Sequence, residues 1–252
     1  MRQLELKGRR LTSSRARAWG APAEAIPLNK LGQAMGAKGR ATRQRLLDAA
    51  VRLLRADPPV ALSAVTVARA AQSSSAAFYL YFNDVPDLFH ALGEQACQDA
   101  RAVLGIARES WRPDNLDIQA SRLVDAFFGA WSVHRPVLRY RNIEADRGDP
   151  RFVALRRDVC LPLIEALAQR IQACSPPDRQ PSLGDARTYA AILHAAMERM
   201  AQAEPGHDNG APDFERVKAG LVRSIVLMVR GAAGQPPLLA DPSEGAAPGA
   251  PT

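Results

Sequence analysis

The sequence predicts an all-α protein, and three observations predict it. Apolar residues recur at helical spacing in one segment after another from residue 41 onward. No stretch alternates apolar and polar residues over the length a strand needs. The segments are separated by helix breakers: Asp57-Pro58-Pro59, Trp111-Arg112-Pro113-Asp114, Gly148-Asp149-Pro150 and the loop "SPPDRQPS" at 175–182.

The elements follow in order. Residues 1–40 have no sustained helical period and carry Gly, Pro and Ser, so a mostly disordered arm is expected there. That arm holds nine Lys or Arg residues and two acids, which accounts for the whole net charge of +7; the rest of the chain is neutral. A polyanion such as DNA is the usual partner of such an arm, and an uninvolved leader is the alternative. Leu46, Leu47, Ala50, Val51 and Leu54 then mark a helix, followed by two short segments at about 63–70 and 74–81. A longer helix is expected over about 85–108, with Leu88, Leu92, Ala96 and Val103 inward. Ala120, Leu123, Val124, Phe127, Phe128 and Trp131 form a stripe that His134-Arg135-Pro136 should interrupt, with another helix over 137–147. Residues 151–173 read as a helix that Pro162 should kink. Helices at about 183–203 and 212–230 close the fold, and the Gly-, Ala- and Pro-rich tail 231–252 should be disordered. The short helices over 41–86 and the long ones over 87–230 suggest two domains that share the helix at 85–108 as a strut.

Several classes are excluded. Hydrophobic residues make up 47% of the chain, enough for a core, yet no uninterrupted run of eighteen apolar residues exists to span a membrane. No apolar stretch with a cleavage site follows the basic N-terminus, so a cytoplasmic protein is expected. Cys97, Cys160 and Cys174 lie far apart, which argues for a reducing compartment and against a disulfide framework. There is no G-x-S-x-G, P-loop or H-E-x-x-H. His194 and Glu198 have the i, i+4 spacing that metal sites use, but no further histidine supports them. No catalytic residue, metal or cofactor is expected.

The stretch "LSAVTVARAAQSSSAAFYLYF" (62–82) carries the chemistry. Ser63 and Ser74 are each placed to cap a short helix. Phe78 and Phe82, four apart, share one side and pack inward, while Tyr79 falls on another with its hydroxyl available to a phosphate. The first turn of the second helix is small, so it can approach another surface closely. Two short capped helices joined by a turn are the parts of a helix-turn-helix, whose second helix enters the major groove.

Residues 41–90 resemble the DNA-binding domain of TetR/AcrR-type transcriptional regulators. The most specific piece of the family pattern is F-Y-x-Y-F at the end of the second helix, and Ser63, Val67, Ala68, Ala71, Ser74, Phe78, Tyr79, Tyr81, Phe82 and Leu88 stand at its matching positions. Three residues depart from it. Gln72 replaces a turn glycine, Ser73 an apolar turn residue, and Val85 a lysine that reaches a phosphate in the family. The resemblance implies that Arg43, Ser63 and Tyr79 touch phosphates. It implies that Ser74, Ser75, Ala76, Ala77 and Leu80 face base edges. Ser and Ala offer hydrogen bonds and thymine-methyl contacts rather than bidentate readout, so DNA shape should carry more of the specificity.

The resemblance further implies a C-terminal domain that forms a homodimer and encloses a pocket for a small-molecule effector of unknown identity. The partner DNA would be double-stranded, with an inverted-repeat operator, and the regulator a repressor released by its ligand. Helices 183–203 and 212–230 are the expected dimer surface, the latter apolar over much of its circumference. Phe127, Phe128, Trp131, His134, Tyr140 and Asn142 are the candidate pocket residues; the same stripe is also what plain core looks like. The alternative is a helical interaction protein of the same fold with weak or ligand-independent DNA binding, which Gln72, Ser73 and Val85 favour.

Overall fold

The computed structural model describes residues 32, 34–56, 61–203 and 213–231, so most of the basic arm, the breaker at 57–60 and the tail beyond 231 lie outside the described residues. Nine α-helices fill the described chain: α1 (Ala37–Leu54), α2 (Ala64–Ala70), α3 (Ser75–Tyr81), α4 (Val85–Asp99), α5 (Arg101–Arg108), α6 (Leu116–Asp146), α7 (Pro150–Ala173), α8 (Leu183–Ala201) and α9 (Phe214–Gly231). A 3₁₀ turn at Pro177–Arg179 interrupts the loop before α8. No strand occurs among the described residues.

The head is built on aromatic and leucine side chains. Leu46 and Leu47 of α1, Val67 of α2, Phe78 of α3, and Leu88 and Phe89 of α4 are fully buried in one cluster. That cluster continues into the long helices, because Val137 and Ala145 of α6 and Phe152 of α7 belong to it. Tyr140 stacks on Phe89 with ring centroids 4.2 Å apart and meets Phe152 edge-on at 5.7 Å. The residues of α1 to α3 and those of the long helices therefore share packing where α4 meets α6 and α7. Gly93 lets α4 pass close to α7, where an added Cβ would lie 2.6 Å from Leu155 Cδ2.

The helix expected over 85–108 is two helices. It breaks at Ala100, and α5 turns away to pack against α6 and α7. Neither Gly nor Pro marks the break; tertiary packing sets it. Beyond α5, Trp111 is buried and its Nε1 donates to Ile106 O at 3.0 Å, which closes the corner.

The interruption expected at His134-Arg135-Pro136 is absent, and α6 runs unbroken for 31 residues. Proline removes a backbone donor and crowds the preceding turn. The helix is supported there from outside. Arg55 Nη2, at the end of α1, donates to Val133 O at 3.0 Å, and Arg135 Nε donates to Ala201 O at 3.1 Å. Buried residues on both sides of the proline, from Leu116 to Ala145, hold it in line. α7 likewise runs through Pro162.

The second core lies in the body. Trp111, Leu116, Leu123, Phe127, Phe128 and Trp131 pack with Leu163, Leu167 and Ile171 of α7, Leu193 and Met197 of α8, and Leu221, Ile225 and Val229 of α9. The extra valines that broaden the α9 stripe, Val226 and Val229, are buried in this core.

Candidate functional site

The two short helices begin at the serines expected to cap them. Ser63 Oγ accepts from Thr66 N at 3.1 Å, and Thr66 Oγ1 accepts from Ser63 N at 2.9 Å, a reciprocal capping box. Ser74 Oγ accepts from Ala77 N at 3.1 Å and keeps its own proton to donate outward. Between them, Ser73 N donates to Ala68 O at 2.9 Å, which tightens the turn.

Gln72 takes the left-handed conformation, with φ of 52°. A side chain there costs roughly 1–2 kcal/mol relative to right-handed backbone. The strain that glycine would relieve is present in the fold. Gln72→Gly should therefore stabilise the head by about 0.5–1 kcal/mol after the unfolded-state entropy of glycine is subtracted. Denaturant midpoints of the two proteins test this; an unchanged or lower midpoint would mean the turn bears no strain.

α3 divides its side chains by face. Phe78 and Phe82 are buried, while Ser74, Ala76, Tyr79 and Leu80 are exposed, and Ser75 and Ala77 are half-buried. Tyr81 is half-buried and packs against the head core. Arg43 lies with its guanidinium 5.2 Å above the Phe82 ring. Burial works against its charge, while Glu94 and Asp87 favour it. Val85, where the family has lysine, packs against the head core, and Asp84 caps α4 by accepting from Asp87 N at 2.6 Å. Lys38 and Arg40, expected in the disordered arm, lie instead on α1, which begins at Ala37; both are exposed, as is Arg45 further along that helix.

In the body a cavity of about 40 Å³, open at its mouth, lies between α4, α5, α6, α7 and α8. Of the six candidate pocket residues, Phe127 and Trp131 line it. Phe128 points instead to Phe214, edge-on at 5.2 Å. His134 is half-buried and does not line the cavity. Tyr140 sits in the head core; burial, with Glu144 and Asp84 adding to it, pushes its hydroxyl up to about 12. Asn142 is buried and faces an outer depression of about 280 Å³ lined by Arg139, Asp146, Arg156 and Glu198.

Among the polar groups of the cavity are His194 and Glu198, noted in the sequence for their spacing alone, and Arg141, which the sequence did not single out. Arg141, with 4% of its side chain exposed, donates through Nη2 to Glu198 Oε1 at 2.8 Å. Its Nε and Nη2 also reach Asn142 Oδ1 at 3.0 and 2.8 Å, and Asn142 Nδ2 donates to Glu198 Oε1 at 3.2 Å. Cys97, Cys160 and His194 complete the polar wall. Burial pushes the Cys160 thiol up to about 12, with Glu198 adding to the effect. Burial also raises Cys97 and lowers His194, so the thiols and the imidazole are neutral near pH 7. Arg141 shares the inward side of α6 with Leu138, three residues before it, and Ala145, four after it, both buried.

The outer faces of the last two helices carry small and apolar residues. Gly184, Thr188, Ala191, Ile192 and Ala195 are exposed on α8, and Ala219, Gly220, Ser224 and Leu227 on α9. Ile192 is 52% exposed and Leu227 64%. No helix among the described residues is long and apolar enough to cross a membrane.

Solved structures share this architecture. A transcriptional regulator from Rhodococcus sp. RHA1 superposes with a TM-score of 0.57 at 19% identity, covering 77% of this chain and 99% of that one. A fatty acid degradation regulator from Bacillus halodurans gives 0.55 at 15% identity, with 79% and 98% covered. A TetR-like transcriptional regulator from Rhodococcus sp. RHA1 gives 0.53 at 22% identity, with 77% and 97% covered. No protein of curated function matches the chain in sequence. Residues 105–237 match the family described as "Tetracyclin repressor-like, C-terminal domain", more than half of the chain. With a capped helix-turn-helix ahead of that domain and the same all-α architecture in regulators of known structure, the chain belongs to the TetR/AcrR family of transcriptional regulators.

Proposed function

We propose that the protein is a homodimeric repressor that binds an inverted-repeat operator and leaves it when a small molecule fills the cavity. The observation that carries this reading is the mounting of α3. Its exposed residues face outward from a head whose core runs through Phe89, Tyr140 and Phe152 into the helices that wall the cavity. A ligand that moves α4, α6 or α7 acts on a packed aromatic contact, and that contact repositions the head. The head over 41–86 reads DNA, and the body over 87–230 binds ligand and pairs. In this reading Arg43, Ser63 and Tyr79 meet phosphates, and Ser74, Ser75, Ala76, Ala77 and Leu80 meet base edges.

The cavity favours an amphiphilic effector. Phe127, Trp131, Leu138 and Leu163 supply apolar walls, and Arg141, His194 and Glu198 gather at one end. An apolar body with one polar or ionisable head matches that division.

Selection from a random DNA pool at physiological salt, with the full chain and with residues 1–38 removed, tests the reading. An inverted-repeat consensus is expected from both, with weaker binding and a shallower salt dependence for the shorter chain. Binding at low salt only, without a consensus, would favour the weakly binding interaction protein instead.

The dimer surface in this reading is the exposed face of α8 and α9. Small residues there permit close helix approach, and Ile192 with Leu227 supplies the apolar centre. Replacing both with arginine should convert the protein to a monomer by light scattering. Operator affinity should then fall at least a hundredfold, since each head alone holds one half-site. A variant that remains dimeric would place the interface elsewhere.

A further inference from the structure

We propose that Cys160, His194 and Glu198 form a site for one divalent transition metal of the zinc type, with a fourth coordination position open to the cavity. His194 and Glu198 are four apart on α8 and share a face; Cys160 reaches them from α7. One ligand atom from each lies within 4.8 Å of the other two. Ligand atoms around a four-coordinate zinc ion sit about 3.5 Å apart, so side-chain shifts of about 1 Å close the set. Sulfur, imidazole nitrogen and carboxylate oxygen together suit a borderline-soft ion and are a poor match for magnesium or calcium.

The surroundings are those of a supported site. Arg141 and Asn142 both donate to Glu198 Oε1, which fixes the carboxylate and leaves Oε2 for an ion. The His194 and Phe127 rings pack at right angles with centroids 6.0 Å apart, which restrains the imidazole plane. Glu198 lines both the cavity and the outer polar depression, so an ion has a route in past Asp146 and Asn142. Three protein donors leave one tetrahedral position, and the cavity lies beside it. A charge count then selects what fills it. The ion and Arg141 together bring three positive charges against one each from the Cys160 thiolate and Glu198. The remaining positive charge favours an anionic ligand at the open position. The inference stands on these side chains alone and does not require the regulator reading.

The test uses the full chain stripped with a chelator. Cobalt(II) added to it should bind at one ion per chain and give a thiolate-to-cobalt charge-transfer band with the intense visible bands of a tetrahedral site. Zinc should displace it, and azide should shift the visible bands. Cys160→Ser should abolish the charge-transfer band, and Cys160→Ser and His194→Gln should each weaken zinc at least a hundredfold in competition with a chromophoric chelator. Cys174→Ser should change nothing, since it lies fourteen residues further along α7, about 21 Å away. Circular dichroism of the stripped variants checks their fold, and the wild-type cobalt spectrum needs no variant. Absence of stoichiometric uptake by the wild type overturns the site. A charge-transfer band that survives Cys160→Ser overturns the donor set, as does zinc affinity unmoved by His194→Gln. A spectrum indifferent to azide overturns the open position.

Discussion

Phe78→Ala is expected to destabilise the head by about 3–5 kcal/mol, the usual cost of removing a buried phenylalanine. Phe78 has no exposed surface, meets Phe82 at 5.6 Å and Tyr79 edge-on at 5.4 Å, and sits where α1, α2 and α3 converge. A seven-residue helix has no stability of its own, so α3 exists because this side chain anchors it. A loss of that size rivals the whole stability of a small domain. Hydrogen exchange should report it locally, with protection lost over α1–α3 and retained over α8 and α9. Sequence-specific DNA binding should vanish with it. Tyr79→Phe is the matching control. It keeps the ring and removes only the exposed hydroxyl, so the melting curve should stay put while DNA affinity falls about tenfold. Equal effects of the two variants on stability would mean that Phe78 does not hold the reading helix.

The contrast between those neighbours was legible in the sequence because local rules decide both. Ser63 and Ser74 announced helix starts through their capping chemistry, and each begins a helix within one residue. The i, i+4 spacing of Phe78 and Phe82 put them on one inward side. The family resemblance put Gln72 where a turn glycine usually stands, and the fold bears the left-handed strain there rather than avoiding it. What was not legible depends on partners distant in sequence. Pro136 reads as a helix breaker, and only Arg55, eighty-one residues earlier, and Ala201 reveal why the helix continues. The break at Ala100 has no local signal at all. Among the pocket candidates, Phe127, Phe128 and Trp131 share a stripe, yet two face the cavity and one faces α9, because neighbouring positions on a helix point about 100° apart. The buried charge was hidden for the same reason. Arg141 and Glu198 are 57 residues apart, and neither suggests the other until α6 and α8 are packed together.

Those two charges give the second large effect. Glu198→Ala is expected to cost about 3–5 kcal/mol in the metal-free protein, measured by urea unfolding in chelator. It leaves the Arg141 guanidinium in the cavity wall with only neutral groups, Asn142 Oδ1 and the Cys97 thiol, among its named partners. Arg141→Met should cost less, because the carboxylate it abandons is 17% exposed at the outer depression and can be hydrated, while the arginine is only 4% exposed. The double replacement Arg141→Met with Glu198→Leu should recover most of the stability, since apolar neighbours such as Leu138, Leu163 and Trp131 already surround the pair. A double variant as unstable as the sum of the singles would mean the pair is not coupled. The recovered protein would still lack what the ion pair gives the cavity: a fixed cation at one end. If that cation orients the effector, the double variant should fold and bind operator DNA yet fail to release it when ligand is added. Stability and response then separate in one molecule, and a variant that regains both would assign the pair to structure alone.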